Sequence, residues 1–182
     1  MGPIRLLCLV ALGALATPAP AQIKSFTLPE MVATADGAVY GQITAAHVFR
    51  VDDPNEGPEL YFTTLTIQGR ALADGRALTV DVTFAGGFLD AREGVFNSEA
   101  PAADDVRVGQ KVVAFYAWMD DLGGGRPGNA LVAAHGGLYR TVDGPRGAAV
   151  LGRGAGYALG ANLRLAELET ALKTLYAAKQ RR

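Results

Sequence analysis

The sequence has little of the chemistry on which many enzymes and metal sites depend. It contains one cysteine, Cys8, two histidines, His47 and His135, and two serines, Ser25 and Ser98. After Cys8 there is no thiol for a disulfide, a thiolate nucleophile or a cysteine-based zinc site. Neither histidine lies in a His-Glu-x-x-His motif, and Ser98 lacks the Gly-x-Ser-x-Gly elbow of many hydrolases. We therefore predict no catalytic residue, no metal site, no cofactor and no enzymatic activity.

The sequence also lacks an excess of charge of one sign. Seventeen Lys and Arg face eighteen Asp and Glu, so the formal net charge is −1. This balance argues against a nucleic acid as partner, because such proteins carry basic surfaces. With 182 residues, 49% of them hydrophobic, the chain is long enough for one domain with a sizeable core.

The N-terminal residues have the pattern of a secretory signal peptide. Arg5 is followed by an apolar run, "LLCLVALGALA" at 6–16, which is too short to span a bilayer. Alanines then occupy the −3 and −1 positions of a cleavage site before Gln22. We predict a signal peptide at 1–21, a single domain at 22–182 with no membrane-spanning segment, and a secreted or periplasmic location. The alternative is a buried N-terminal helix, which the prolines in "TPAPAQ" disfavour.

The rest of the chain reads mainly as short strands. Alternating and β-branched residues predict strands over 38–50, 60–72, 77–84, 106–119 and 130–142, the last as one strand or as a hairpin about Gly136-Gly137. Gly41 interrupts the first strand and is typical of a bend or bulge. On that strand we predict one shared face for a set of alternating residues, namely Val39, Ile43, Ala45, His47 and Phe49. The glycine-rich segment 143–160 is left unassigned.

Two helices are predicted at the ends of this strand region. Thr27 and Glu30 have capping-box spacing, which predicts a short helix at 28–35. Leucines at helical spacing predict an amphipathic C-terminal helix at 163–179 that docks on the strands. The expected fold is mainly β, a small five-stranded antiparallel OB-like barrel with these two helices. A β-sandwich is the alternative.

The order of several segments resembles that of known proteins. "ATADGAVYGQI", a Thr-rich strand, "GRALTVDVTFAGG", "DDVRVGQKVVAFYAW" and "ALVAAHGGLYRTV" follow one another. This order resembles a group of uncharacterised secreted bacterial proteins, and it is similar to the netrin-type module, an OB-like barrel found in tissue inhibitors of metalloproteinases. The resemblance implies a fold and a compartment. The inhibitors' N-terminal cysteine and disulfides have no counterpart here, and Gln110 stands where the bacterial group usually has an acid.

The double glycine Gly86-Gly87 ends the 77–84 strand. A Walker-type phosphate loop would need a Gly-Lys-Ser/Thr sequence, and a dinucleotide fingerprint would need a third glycine opening a helix. The sequence that follows, "FLDAREG", supplies neither. We therefore interpret the pair as a corner where the barrel chain bends.

Aromatic residues near predicted loops are the candidate binding residues. Trp118 and Tyr116 end the fourth strand beside the loop at 120–129, and Tyr139 follows the glycine pair at 136–137. Each could stack on a ligand or complete the core. Asp90 and Arg92, two charged residues that follow the Gly86-Gly87 corner, are also candidate binding residues.

Acidic residues cluster in several predicted loops. The cluster at 52–56 offers oxygen ligands of the kind calcium takes, but it lacks the EF-hand spacing, so a solvated turn is the preferred interpretation. Together these features predict a secreted, non-enzymatic binding protein that acts through its barrel loops, with a secreted or envelope protein or a glycan as partner. The alternative is a periplasmic hydrolase accessory or a protease inhibitor-like protein.

Overall fold

The computed structural model describes residues 26–52 and 59–181. The predicted signal peptide and its cleavage position before Gln22 lie outside these residues, as does most of the acidic cluster at 52–56. The described residues form two α-helices and ten strands. Their bounds are α1 (Leu28–Thr34), β1 (Gly37–Val51), β2 (Leu60–Ala71), β3 (Ala77–Ala85), β4 (Gly87–Phe88), β5 (Gly94–Val95), β6 (Lys111–Met119), β7 (Gly128–Leu131), β8 (Leu138–Val142), β9 (Ala149–Val150), β10 (Leu163–Arg164) and α2 (Leu165–Lys179).

Five strands close into a barrel in the order β1-β2-β3-β7-β6, with β6 pairing back onto β1. Neighbouring strands are antiparallel except β3 and β7, which make a parallel contact between Thr83 and Ala130. The predicted OB-like barrel with two helices is therefore confirmed. The predicted fifth strand is in fact two strands, since a 3₁₀ turn at Ala134–Gly137 separates β7 from β8, and both pair with β6. Among the described residues β7 and β8 do not pair with each other but follow one another along β6, so the hairpin alternative about Gly136-Gly137 is wrong and the segment is one strand interrupted by the turn.

The strand β6 is buried on both faces. Its alternate residues Val112 and Ala114 point into the barrel and pack with side chains from β1, β2 and β3. Val113 and Phe115 point outward into a second core, which the two helices cover. Uninterrupted apolar sequence in this strand thus reflects burial on both sides.

The strand β1 changes phase in its middle. Its register against β2 shifts between Ile43 and Ala45, so one extra residue is inserted there. Val39 and Ile43 are buried, but Ala45 and His47 are exposed. The prediction that these side chains share one face is therefore wrong beyond Ile43, because a bulge reverses the alternation.

Both helices begin near where the sequence predicts. Thr27 and Glu30 form the capping box of α1. The apolar stripe of α2 is buried in the second core through Leu165, Leu168, Leu172 and Tyr176. Lys179 Nζ donates to the backbone oxygens of Val32 and Ala35 at 3.2 and 2.8 Å, which ties the end of α2 to the end of α1. Within the described residues, no helix combines the length and apolarity needed to cross a bilayer.

Replacement of Tyr176 by phenylalanine tests the second core. The Tyr176 hydroxyl is buried and, within the described residues, has no hydrogen-bond partner. Burial raises its pKa above the ordinary value of 10.0, so the unfolded chain ionises first as pH rises and the folded state loses stability above pH 10. We expect Tyr176→Phe to leave stability at pH 7 unchanged or raise it by about 1 kcal/mol, and to flatten the alkaline decline.

The matched variant is Tyr139→Phe. The Tyr139 hydroxyl accepts a hydrogen bond from the Leu159 backbone N–H at 3.4 Å, so its loss leaves a buried donor unpaired and should lower stability by about 1 kcal/mol. Urea unfolding at pH 7 and at pH values above 10 measures both variants. Because burial also raises the pKa of Tyr139 and of Tyr116, part of the alkaline decline should remain, but a decline as steep in Tyr176→Phe as in wild type would contradict the assignment.

Candidate ligand-binding cleft

The chain turns sharply after β3 and forms a small hairpin. Gly86 and Gly87 have φ values of +99° and +140°, which residues with side chains rarely adopt. A Cβ on Gly87 would overlap the Thr63 hydroxyl and approach Val48 Cγ1 at 3.0 Å. These positions need glycine for backbone conformation and close approach, as the corner interpretation predicts. The segment 85–105, which lies between the predicted strands 77–84 and 106–119, contains the hairpin β4–β5 and a 3₁₀ turn at Ala103–Asp105.

Charged residues fix this hairpin to the barrel. Glu93 accepts a hydrogen bond from Arg50 Nη1 at 3.1 Å and one from the Tyr61 hydroxyl at 3.4 Å. The carboxylates of Glu59, Asp52 and Glu93 raise the pKa of the Arg50 guanidinium. Burial, reinforced by a hydrogen bond to Glu59, raises the pKa of the Tyr61 hydroxyl and keeps it a donor.

The hairpin, the barrel end and the segment 96–106 enclose a cleft of about 640 Å³. This volume lies within the range of small-ligand sites. The barrel contributes the apolar side chains of Ala46, Val48 and Phe84, and also Thr63, whose hydroxyl donates to the Gly86 backbone oxygen at 2.7 Å. The other apolar lining side chains come from the hairpin and the segment after it, namely Phe88, Val95, Phe96, Ala100, Pro101, Ala102, Ala103 and Val106.

The hairpin leaves unusually large apolar side chains in contact with solvent. Phe96 is 79% exposed and Phe88 is 54% exposed, and Leu89 and Val95 are exposed as well. Exposed apolar side chains that lie together beside a cleft are typical of interaction sites. We name this set the hairpin patch: Phe88, Leu89, Val95 and Phe96.

One wall of the cleft carries a positive charge. Among the described residues that line the cleft, Arg153 is the one with a charged side chain. Its Nη2 donates to Asp105 at 2.8 Å and its Nε to the Leu138 backbone oxygen at 2.9 Å. Arg140 lies 3.6 Å from the same Asp105 carboxylate. Two arginines therefore share one mostly buried carboxylate, and this wall keeps an excess positive charge.

His135 and Ser98 line the same cleft but do not form a catalytic pair. His135 Nδ1 donates to the Glu99 backbone oxygen at 3.0 Å, and its Nε2 accepts from the Tyr157 hydroxyl at 2.8 Å. Both ring nitrogens are thus engaged in holding two loops together. The turn just before His135 places Ala133 and Ala134 at positive φ, a strained conformation for alanine.

The aromatic candidates from the sequence are not brought together at this cleft. Tyr139 is fully buried and packs edge-to-face on Phe115, so its prediction as a binding residue is corrected to a core residue. Tyr116 is half-buried, and its ring covers Gly37. Trp118 is 56% exposed, and its indole donates to Asp120 at 3.2 Å. Trp118 thus remains available at the surface, away from the cleft lining.

The charged candidates lie at the tip of the hairpin. Asp90 Oδ1 accepts from the backbone N–H groups of Arg92 and Glu93 at 2.7 and 3.0 Å, which closes the turn between β4 and β5. Arg92 is exposed on that turn. The structure therefore gives Asp90 a turn-capping role beside the hairpin patch.

The outer face of β2 and β3, which often binds ligands in OB barrels, carries a polar ladder. Thr64 and Thr83 share a hydrogen bond of 2.8 Å, and Thr66 donates to Asp81 at 2.6 Å. These hydroxyls already have partners on the neighbouring strand.

In the described part of the chain, no group of three or more histidine or acidic side chains is placed to hold a metal ion.

Sequence reasoning missed the hairpin patch and Arg153. The signal for the hairpin was present, since "GFLDAREGVF" places a short turn with a glycine between two apolar pairs. Arg153 gave no signal, because it lies in the unassigned segment 143–160.

No protein-family model, curated protein or solved structure matches this chain.

Two glycine variants test the corner beneath the cleft. Gly87 and Gly147 both have positive φ, at +140° and +95°, but a Cβ on Gly147 would meet no atom within 4 Å. We expect Gly147→Ala to lower stability by about 1 kcal/mol through backbone strain alone. Gly87→Ala should cost at least about 1 kcal/mol more, because its methyl also overlaps Thr63 and Val48. Thermal and urea unfolding give both values, and equal losses would argue against close packing at the corner.

Proposed function

We propose that this chain is a secreted, non-enzymatic binding module that holds part of another protein in the cleft beside the β4–β5 hairpin. The observation that carries the proposal is the juxtaposition of an apolar cleft of about 640 Å³ with the exposed hairpin patch. Such apolar surface is unfavourable in water and becomes favourable when a partner covers it. The secreted location rests on the predicted signal peptide.

The barrel explains why the hairpin is suited to this task. Loops on a rigid scaffold are the usual place of binding residues. Here the hairpin is fixed at its base by Gly86-Gly87 and at its tip by the contacts of Glu93 with Arg50 and Tyr61. A surface that is already ordered loses less conformational entropy on binding.

The resemblance to the netrin-type module also favours the hypothesis that this chain binds another protein. An OB-like barrel that acts through contacts with another protein agrees with both the leading prediction and the inhibitor-like alternative. The cysteine-based inhibition of metalloproteinases is not proposed, because the sequence after Cys8 lacks the thiol.

A capture experiment with two matched aromatic variants tests the proposal. Tagged protein is incubated with native envelope and medium fractions, and bound proteins are quantified for wild type, Phe96→Ser and Trp118→Ser. Both residues are exposed aromatics, at 79% and 56%, so both variants should fold like wild type. We expect Phe96→Ser to lose a specific partner by at least tenfold, since buried aromatic anchors dominate interfaces.

The two variants separate the competing sites. Trp118→Ser should retain the same partner at wild-type level. If Trp118→Ser lost the captured partner and Phe96→Ser retained it, the binding site would lie at the end of β6. That result would contradict the proposal that the cleft binds the partner. Turnover of substrates in a hydrolase panel without any captured partner would contradict a binding role.

A further inference from the structure

We propose that the cleft recognises the C-terminal segment of a partner protein, with apolar side chains in the cleft and the terminal carboxylate at Arg153. This inference rests on the proposed binding function and names the part of the partner that is bound. Three features of the cleft lead to it: its charge, the free edge of a strand beside it, and its apolar lining.

The charge of the cleft favours an anion. Among the described residues, Arg153 lines the cleft and no carboxylate does. Its Nε and Nη2 are used by the Leu138 backbone oxygen and by Asp105, which orient the guanidinium. Within the described residues Nη1 makes no hydrogen bond, so it can donate to a ligand. With Arg140 on the same Asp105, a bound carboxylate would meet an excess positive charge, and such charge-assisted hydrogen bonds are strong.

The unpaired edge of β1 favours a polypeptide ligand over a small apolar anion such as an aliphatic acid. Residues 37–42 of β1 pair with both β2 and β6. Beyond them, residues 45–51 pair with β2 alone among the described residues. An unpaired strand edge presents backbone donors and acceptors that an added extended segment can use. An aliphatic acid has no backbone to pair with this edge.

The lining connects the free edge to the charge. Ala46 and Val48 come from the unpaired half of β1 and line the same cleft as Arg153. An extended segment beside β1 would place alternate side chains on the face of the sheet that carries Val48. The hairpin patch lies next to these residues and can cover the segment. The occupant that fits is a chain end with apolar residues and a free carboxylate.

The test compares two forms of one peptide. The probe is a short N-acetylated peptide ending in Thr-Val-Leu, made once with a free C-terminal carboxylate and once as the C-terminal amide. Binding to the mature protein is measured by calorimetry and located by NMR shifts of the Val48 methyls. We expect the free acid to bind at least about tenfold more tightly than the amide, the difference that a charged hydrogen bond makes.

Two arginine variants provide the matched comparison. In Arg153→Gln the free acid should fall to the affinity of the amide. In Arg140→Gln, which removes the excess positive charge but keeps the Arg153 donor in the cleft lining, the preference for the free acid should fall by less than in Arg153→Gln and remain measurable. If Arg153→Gln does not fold, a probe N-methylated at its central backbone amide serves instead, and its binding should weaken at least tenfold because strand pairing is lost.

The outcomes separate this inference from the proposed function. Equal binding of acid and amide would overturn the carboxylate assignment and leave the binding function intact. Binding of sodium dodecanoate at the cleft with no binding of either peptide would overturn the inference in favour of a free aliphatic acid. No binding of any probe, together with unchanged capture by Phe96→Ser, would overturn both.

Discussion

The fold depends on the burial of β6 on both faces. Val112 and Ala114 complete the barrel interior while Val113 and Phe115 complete the core under the helices. The chain beyond Cys8 contains no cysteine, so no disulfide can hold the two layers together. Apolar burial on one shared strand therefore links the barrel to the helix layer.

The same strand determines where the cleft can form. β6 closes the barrel by pairing with residues 37–42 of β1, and its other edge is taken by β7 and β8. The bulge at Ile43/Ala45 then turns the second half of β1 away from this pairing. Among the described residues, 45–51 pair with β2 alone, and Ala46 and Val48 from this half of β1 line the cleft together with the segment after β3. The cleft therefore lies beside the half of β1 that extends past its pairing with β6.

Regular alternation made the fold predictable from the sequence. In β3 the residues Leu78, Val80 and Val82 alternate with polar neighbours and pack into the barrel interior, as this pattern indicates. The face of β1 was mispredicted because a bulge has no reliable sequence signal, and Gly41, which suggested the interruption, lies before the observed register shift between Ile43 and Ala45. The site was less predictable still. Phe96 and Arg153 are 57 positions apart in the sequence, and only the packing of irregular segments brings them to one cleft.

The position of the cleft also explains why aromatic residues were a poor guide to function. A residue such as Tyr139 is aromatic because the second core needs volume, and its hydroxyl is satisfied inside by Leu159. Phe96 has no such partner in either core cluster and lies exposed on a hairpin that two glycines and Glu93 hold in place. Aromatic character alone does not separate these cases. Exposure on an ordered element does separate core aromatics from candidate binding aromatics. An exposed apolar side chain adds little to the stability of the folded state, so its presence there favours a role in binding. The proposed interaction surface is therefore the hairpin patch and not the polar ladder of β2 and β3, where the hydroxyls of Thr64 and Thr66 are already paired across the strands.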